Sequence, residues 1–394
     1  MKIGIDACCW ANRRGFGRYT RELVTNMVME SQNHEFVLVV DRITASDYSF
    51  PDGATVEVVD TKEQPTRSAS ATSSRSPMDM LRMSRAVSRI KPDVFFFPAV
   101  YSYYPVFGRI PTAVTFHDAI AESHPGLIFP SLKSRFLWSV KTRLALSRAD
   151  AILTVSNTAR HQIASAFNIA ESKIHVALEG VAPSFRQIND KSSILDSLRR
   201  YGIPEKDPII LYVGGISPHK NLDGLLKALA ILQKTSSIPW RLVLAGDYLD
   251  DGFYGCHKEI LSLSRTLHLE ERVLFTGFVH NDDLTALYNA ATIFVTPSLD
   301  EGFCLPAVEA MACGIPVAAS SRGALPEVIQ SAGLFFEPTD HDEMASVLLS
   351  LLSDPSLRAK LSSGGLQQAK LYSWKETARR VVGLLEDMKR DAAR

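Results

Sequence analysis

With 394 residues, 46% of them hydrophobic, the chain is long enough to bury two cores, and two domains are expected. Its 43 basic residues balance 43 acidic ones, which leaves no electrostatic footprint for nucleic acid. The five cysteines (Cys8, Cys9, Cys256, Cys304, Cys313) include no C-x-x-C pair, which argues against a disulfide framework or structural zinc and for a reducing cytoplasm; no apolar run reaches membrane-spanning length.

In chain order, a strand is predicted at Lys2–Ala7, then a loop from Ala11 to Gly17 and a helix from about Arg18. Gly15 and Gly17 sit in that loop, where phosphates or sugars could approach backbone. The third glycine position is Thr20, so this is not a dinucleotide fingerprint. Further strands are expected at Glu35–Asp41, Thr55–Asp60, Val94–Pro98, Thr112–Asp118, Ala151–Ser156 and Lys173–Leu178. Between them, Met80, Met83, Val87 and Ile90 recur at helical spacing, and such alternation predicts a doubly wound parallel sheet. The serine-rich basic stretch Thr61–Pro77 predicts a mobile loop. Ser131–Arg148 carries Lys133, Arg135, Lys141, Arg143 and Arg148 with no acid, as would either a solvated helix or one lying on an anionic membrane.

After a proline-punctuated linker the pattern restarts, with strands expected at Ile209–Gly215, Arg241–Gly246, Val273–Phe278, Ile293–Ser298, Pro316–Ser320 and Gly333–Glu337. A helix is expected over Leu222–Gln233. The boundaries drawn are 1–185 for the first Rossmann-like domain, 186–207 for the linker and 208–372 for the second, with a helix at about 373–394 returning to the first. Two such domains should face each other across a ligand cleft. Gly214, Gly215, Ser217, His219 and Lys220 lie on the loop leaving the first strand of the second domain. There the glycines admit an anion to the backbone and Lys220 supplies a cation. In the loop and helix that follow Ile293–Ser298, Glu301 and Glu309 stand eight residues apart. Between them Gly302, Phe303, Cys304 and Leu305 offer N–H groups near a helix N-terminus, which suits phosphate. Carboxylates beside a phosphate pocket need uncharged partners, and sugar or ribose hydroxyls meet that need. A nucleoside diphosphate sugar satisfies both requirements.

The stretch DEGFCLPAVEAMACGIPVAAS resembles the E-x7-E signature of the retaining glycosyltransferases of family 4, which have the two-domain GT-B fold. GFGRYTREL, TFHD, TVSNTAR, YVGGISPHKN, VLFTGFV and LYNAATIFVTPSLDEGF extend the resemblance along nearly the whole chain. It implies that Glu309 holds ribose hydroxyls, that Glu301 and the amides of Gly302–Leu305 face donor sugar and diphosphate, and that Lys220 neutralises the diphosphate. It places the base near Val279, His117 at the donor sugar or reacting centre, and Gly15 and Gly17 beside the diphosphate. It implies transfer without cofactor or required metal, and the lone D-x-D, Asp340-His341-Asp342, sits at an expected helix cap. Gly215 and His219 stand where many relatives carry an arginine, so His219 or Arg18 would supply that cation, and Cys304 replaces a commoner glycine.

The function expected is transfer of a hexose, of mannose or glucose type, to a glycan, lipid-linked or small-molecule hydroxyl in polysaccharide or glycoconjugate biosynthesis. Peripheral contact of the first domain with the inner membrane face belongs to that expectation. The alternatives are a two-carboxylate glycosidase, a nucleotide-sugar epimerase, and a non-catalytic paralogue that partners another glycosyltransferase.

Overall fold

The computed structural model describes residues 1–62, 76–247 and 255–394. Most of the stretch Thr61–Pro77 lies outside the described residues. Among the described residues, Met1–Glu179 with Trp374–Arg394 form one compact unit, and those of Gly180–Asp251 with Gly255–Ser373 form a second.

The first unit holds a parallel sheet of β1 (Lys2–Asp6), β2 (Glu35–Asp41), β3 (Ala54–Val59), β4 (Val94–Phe97), β5 (Thr112–Thr115), β6 (Ala151–Thr154) and β7 (Ile174–Val176), in the order β3-β2-β1-β4-β5-β6-β7. The runs of Val, Ile and Phe in β1, β2, β4, β5 and β6 are buried on both faces, as strands between two helical layers must be, whereas the edge strands β3 and β7 are partly exposed. The second unit has β8 (Ile209–Val213), β9 (Arg241–Ala245), β10 (Val273–Gly277), β11 (Ile293–Thr296), β12 (Val317–Ser320) and β13 (Gly333–Phe336), also parallel, ordered β10-β9-β8-β11-β12-β13. In both sheets the order reverses once, between β1 and β4 and between β8 and β11. The chain leaves the reversing strands in opposite directions, which opens a crevice at their carboxyl ends where ligands bind.

Three expectations are corrected. The helix expected from about Arg18 begins at Gly15 and runs Gly15–Glu30, so both glycines belong to its first turn rather than to a loop. Gly17 is required by packing, since a Cβ there would lie 2.1 Å from the Asn12 carbonyl oxygen, whereas Gly15 faces open space. The span 186–207 is not plain linker, because it contains the helix Lys191–Arg200, capped by Asp190. That helix is tied down by Asp283, which accepts from Ser197 Oγ at 2.8 Å and from Arg200 and Tyr201. Burial alone would raise the Asp283 pKa, but these donors outweigh it and the net shift is downward. Finally, Lys141 does not join an outward basic face. Its Nζ donates to the Tyr101 carbonyl at 3.1 Å and lies 4.5 Å from the centroid of the Trp138 ring.

The helix Trp374–Ala392 packs on Gly15–Glu30 through the buried stripe Ala378, Val381, Val382, Leu385 and Met388, at helical spacing. Lys375 and Arg379 both reach Glu30 at 2.9 Å, and Lys389 reaches Asp93 at 2.9 Å.

Trp138, on the helix Leu132–Arg148, donates its indole N–H to Glu122 at 2.7 Å. Burial pushes the Glu122 carboxyl up to about 7, the Trp138 bond opposes this, and the charge of Asp118 adds to it. A folded pKa above the unfolded value means stability present below about 4.5 and lost as pH rises through about 7. Glu122→Gln mimics the protonated form. It should therefore exceed the parent chain in stability above about pH 7, by on the order of 2 kcal/mol after solvent screening, with the gap closing on acidification. Chemical unfolding of both proteins across that range measures it, and a pH-independent gap contradicts the assignment.

Candidate functional site

The reversal between β8 and β11 brings two loops together. The β8 loop turns into a short 3-10 helix, Pro218–Lys220, and then Asn221 adopts a left-handed conformation (φ 56°) before the helix Leu222–Thr235. Asparagine tolerates that region better than most residues. Its Nδ2 donates to the carbonyls of Pro297 (3.0 Å) and Pro338 (2.8 Å), so one buried amide ties the β8 loop to those after β11 and β13. The Leu299 amide donates to the His219 carbonyl at 2.8 Å, which adds a second clasp.

Held this way, Lys220 Nζ lies 2.7 Å from Glu301 Oε1, with both side chains largely buried. The same carboxylate oxygen accepts from Ser298 Oγ at 2.7 Å. Glu301 is fixed from behind as well, since Ala324 N–H donates to its carbonyl and Gly323 (φ 63°) packs on its amide. A Cβ at Gly323 would stand 2.5 Å from the Glu301 nitrogen, so no larger residue fits there without moving the loop.

Cys304 takes a left-handed conformation (φ 84°, ψ 70°) and precedes the helix Leu305–Ala312, to which Pro306 contributes a preset first turn. The commoner glycine would adopt this backbone without strain. Burial pushes the Cys304 thiol up to about 12, with the charge of Glu301 adding to it, so it stays protonated and is no nucleophile. The amides of Gly302, Phe303, Cys304 and Leu305 border the start of this helix, where N–H groups lack intrahelical acceptors. The Phe303 and Leu305 side chains instead face the interior, with Phe303 set edge-on to Tyr372 at 5.4 Å. One turn on, Glu309 is buried and accepts from Tyr288 Oη at 2.9 Å, which fixes its orientation.

Gly214 and Gly215 follow β8. The Gly214 carbonyl presses so closely on Gly246 that a Cβ on Gly246 would sit 1.9 Å from it, and Gly215 O accepts from Tyr212 Oη at 2.8 Å. Ser217 is buried and its carbonyl receives the Lys220 amide. Val279 is buried just beyond β10. Asp340 of the D-x-D caps the helix His341–Ser353 by accepting from the Glu343 amide at 2.9 Å, so its carboxylate is committed to the fold.

In the first unit, His117 follows β5. A carbonyl can only accept, so its Nε2 carries the proton donated to Pro98 O at 3.0 Å. Its Nδ1 faces Glu179 at 3.5 Å, and the Tyr19 ring meets it edge-on at 4.6 Å. Gly15, Gly17 and Arg18 lie on the first turn of the helix Gly15–Glu30.

The second unit thus gathers Lys220, Glu301, Glu309 and the helix-start amides at one sheet edge: a cation, two carboxylates and backbone donors. Sequence reasoning missed Asn221, Tyr288, Ser298 and Gly323, which orient these groups. Only Asn221 had a local signal, since asparagine tolerates the left-handed conformation found there, whereas the others act through tertiary contact.

Residues 194–368 match the family described as Glycosyl transferases group 1, and residues 13–185 match the one described as Glycosyltransferase Family 4. O-antigen chain mannosyltransferase B of Escherichia coli is 34% identical over 281 residues, covering 70% of each chain. The serotype-specific mannosyltransferase WbdA of Escherichia coli is 34% identical over 233 residues, which is 59% of this chain but 28% of that longer protein. Among solved structures, Anabaena Alr3699/HepE in complex with UDP and glucose superposes with a TM-score of 0.73 at 18% identity, over 98% of this chain and 100% of that one. At that identity the likeness speaks for the fold alone.

Removing the Tyr288 hydroxyl should loosen Glu309 without emptying the core. A hydrogen bond to a charged group contributes about 1.5–3 kcal/mol, so Tyr288→Phe should weaken binding of a nucleoside diphosphate about tenfold or more. Glu309→Ala should cost at least as much. Isothermal titration of both variants checks this, and unchanged affinity in Glu309→Ala removes Glu309 from the binding site.

Proposed function

The chain belongs to the glycosyltransferases of family 4, and from this we propose that it is a retaining hexosyltransferase that moves mannose from a nucleoside diphosphate sugar to the hydroxyl of a glycan or lipid-linked acceptor. The observation that carries the reading is the Lys220–Glu301 pair at the β8/β11 reversal, with Glu309 buried one helical turn behind it. The two mannosyltransferase relatives support mannose over glucose.

In this reading Glu309 accepts from the ribose hydroxyls, and the amides of Gly302–Leu305 with Lys220 receive the diphosphate. Arrival of the diphosphate offers Lys220 a second anion, so Glu301 is relieved of part of its partner and turns to the hydroxyls of the donor sugar. The bond between the anomeric carbon and the diphosphate oxygen breaks as the acceptor oxygen bonds to that carbon on the same face. The acceptor proton passes to the departing diphosphate oxygen. Negative charge grows on the leaving group, and fixed donors aimed at it lower the barrier. No residue in this scheme calls for a metal. His117, whose Nε2 donates to the Pro98 carbonyl, is given no step in this scheme.

A panel of UDP-, GDP- and ADP-sugars, read by thermal stabilisation, tests the donor. At a hundredfold excess over the dissociation constant the matching donor should add about 2.7 kcal/mol of stability, a shift of several degrees. GDP-mannose is expected to give the largest shift, and Lys220→Met should reduce it. NMR of the product linkage should show the donor's anomeric configuration. Stabilisation by no nucleotide, or cleavage of glycosides without one, sinks the proposal. Binding without transfer to any acceptor favours a non-catalytic partner.

A further inference from the structure

The helix Leu132–Arg148 is apolar on both of its faces, which a solvated surface helix is not. Its inner face is anchored. Trp138, Thr142 and Ala145 are buried, Trp138 lies 5.2 Å from Tyr101, and its indole is bonded to Glu122. On the outer face Leu132 is 84% exposed, Phe136 66% and Val140 49%, with Leu137 beside them at 37%. Leu132, Phe136 and Val140 follow one another at intervals of four, so they form a continuous ridge along the helix. At the same turns stand the exposed cations Lys133, Arg135 and Arg143, and no residue of the helix is acidic.

We propose that this outer face docks the first unit on an anionic lipid bilayer, with Leu132, Phe136 and Val140 entering the acyl boundary and Lys133, Arg135 and Arg143 meeting the lipid phosphates. The charge decides the occupant. A ridge of large side chains alone could bury against a protein, but a helix with cations along the ridge and no acid complements a uniformly negative surface. Because the exposed ridge runs along the side of a helix whose inner face stays packed on the first unit, the contact is interfacial. Lys141, turned inward to Tyr101 and Trp138, takes no part. Docking would bring the first unit to acceptors held in the bilayer. That consequence rests on the transferase reading, whereas docking itself does not.

The test is flotation of the full chain with vesicles of equal parts phosphatidylcholine and phosphatidylglycerol, against vesicles of phosphatidylcholine alone. The protein should float with the anionic vesicles, and less so as salt shortens the screening length below about 10 Å. Phe136→Ser should lower vesicle affinity about tenfold or more, as expected for losing one buried aromatic ring. Lys133→Glu with Arg135→Glu should lower it further and flatten the salt dependence, while Lys141→Gln should not flatten it. With Phe136→Trp, brominated lipid should quench the new fluorophore, which separates insertion from adsorption. Equal recovery of the parent chain with both vesicle types overturns the proposal. So does a concentration-dependent doubling of mass that Phe136→Ser abolishes, since a second copy would then cover the ridge. Nucleotide-sugar stabilisation, measured without vesicles, should be the same in all these variants. Its failure in the parent chain counts against the transferase reading and leaves the docking result standing.

Discussion

A single carboxylate oxygen organises the second unit's site. Glu301 Oε1 receives an ammonium and a hydroxyl at the same 2.7 Å, and neither donor comes from the same turn of chain as the other. Lys220 arrives from the β8 loop and Ser298 from the β11 loop, so the oxygen reports whether both loops are in register. Two ions brought this far out of water are costly unless each finds its partner. The pair is therefore both a constraint on the loops and a store of charge that an incoming anion can redistribute. Asn221 and Gly323 matter because they hold that geometry from either side, through two carbonyls in one case and through the lack of a side chain in the other.

The first unit has the same reversal but fills it differently. Asp6 at the end of β1 accepts from Ser102, which also accepts from Cys9 at 3.2 Å, and Phe16 stacks on Tyr101 at 4.5 Å. Where the second unit presents a cation and backbone donors, the first presents a packed polar knot capped by aromatic rings. Equivalent topology thus yields two kinds of surface, and the difference lies in side chains rather than in strand order.

The strands were legible because they are short apolar runs rich in β-branched and aromatic residues, and the central ones are buried on both sides. The thirteen expected runs coincide with β1 to β13 to within a few residues at their ends. The helix start at Gly15 was not legible, because glycine argues locally for a loop and only the Asn12 carbonyl pressing on Gly17 explains its place. The helix Lys191–Arg200 was hidden by flanking prolines, and what holds it is Asp283, more than eighty residues away. Glu309 was legible from its spacing, but the Tyr288 hydroxyl that aims it was not. Lys141 shows the same limit: charge is written in the sequence, but direction is not.

The helix Trp374–Ala392 belongs to the first unit although the whole second unit precedes it in the chain. During synthesis the first unit's stripe beneath Ala378, Val381, Val382 and Leu385 therefore stays uncovered until this helix emerges, after the second unit has been made. The second unit, by contrast, is continuous apart from its own loops and can close first. The first unit is therefore begun before the second and completed after it, and its apolar face stays open to solvent for the whole time the second unit is being made.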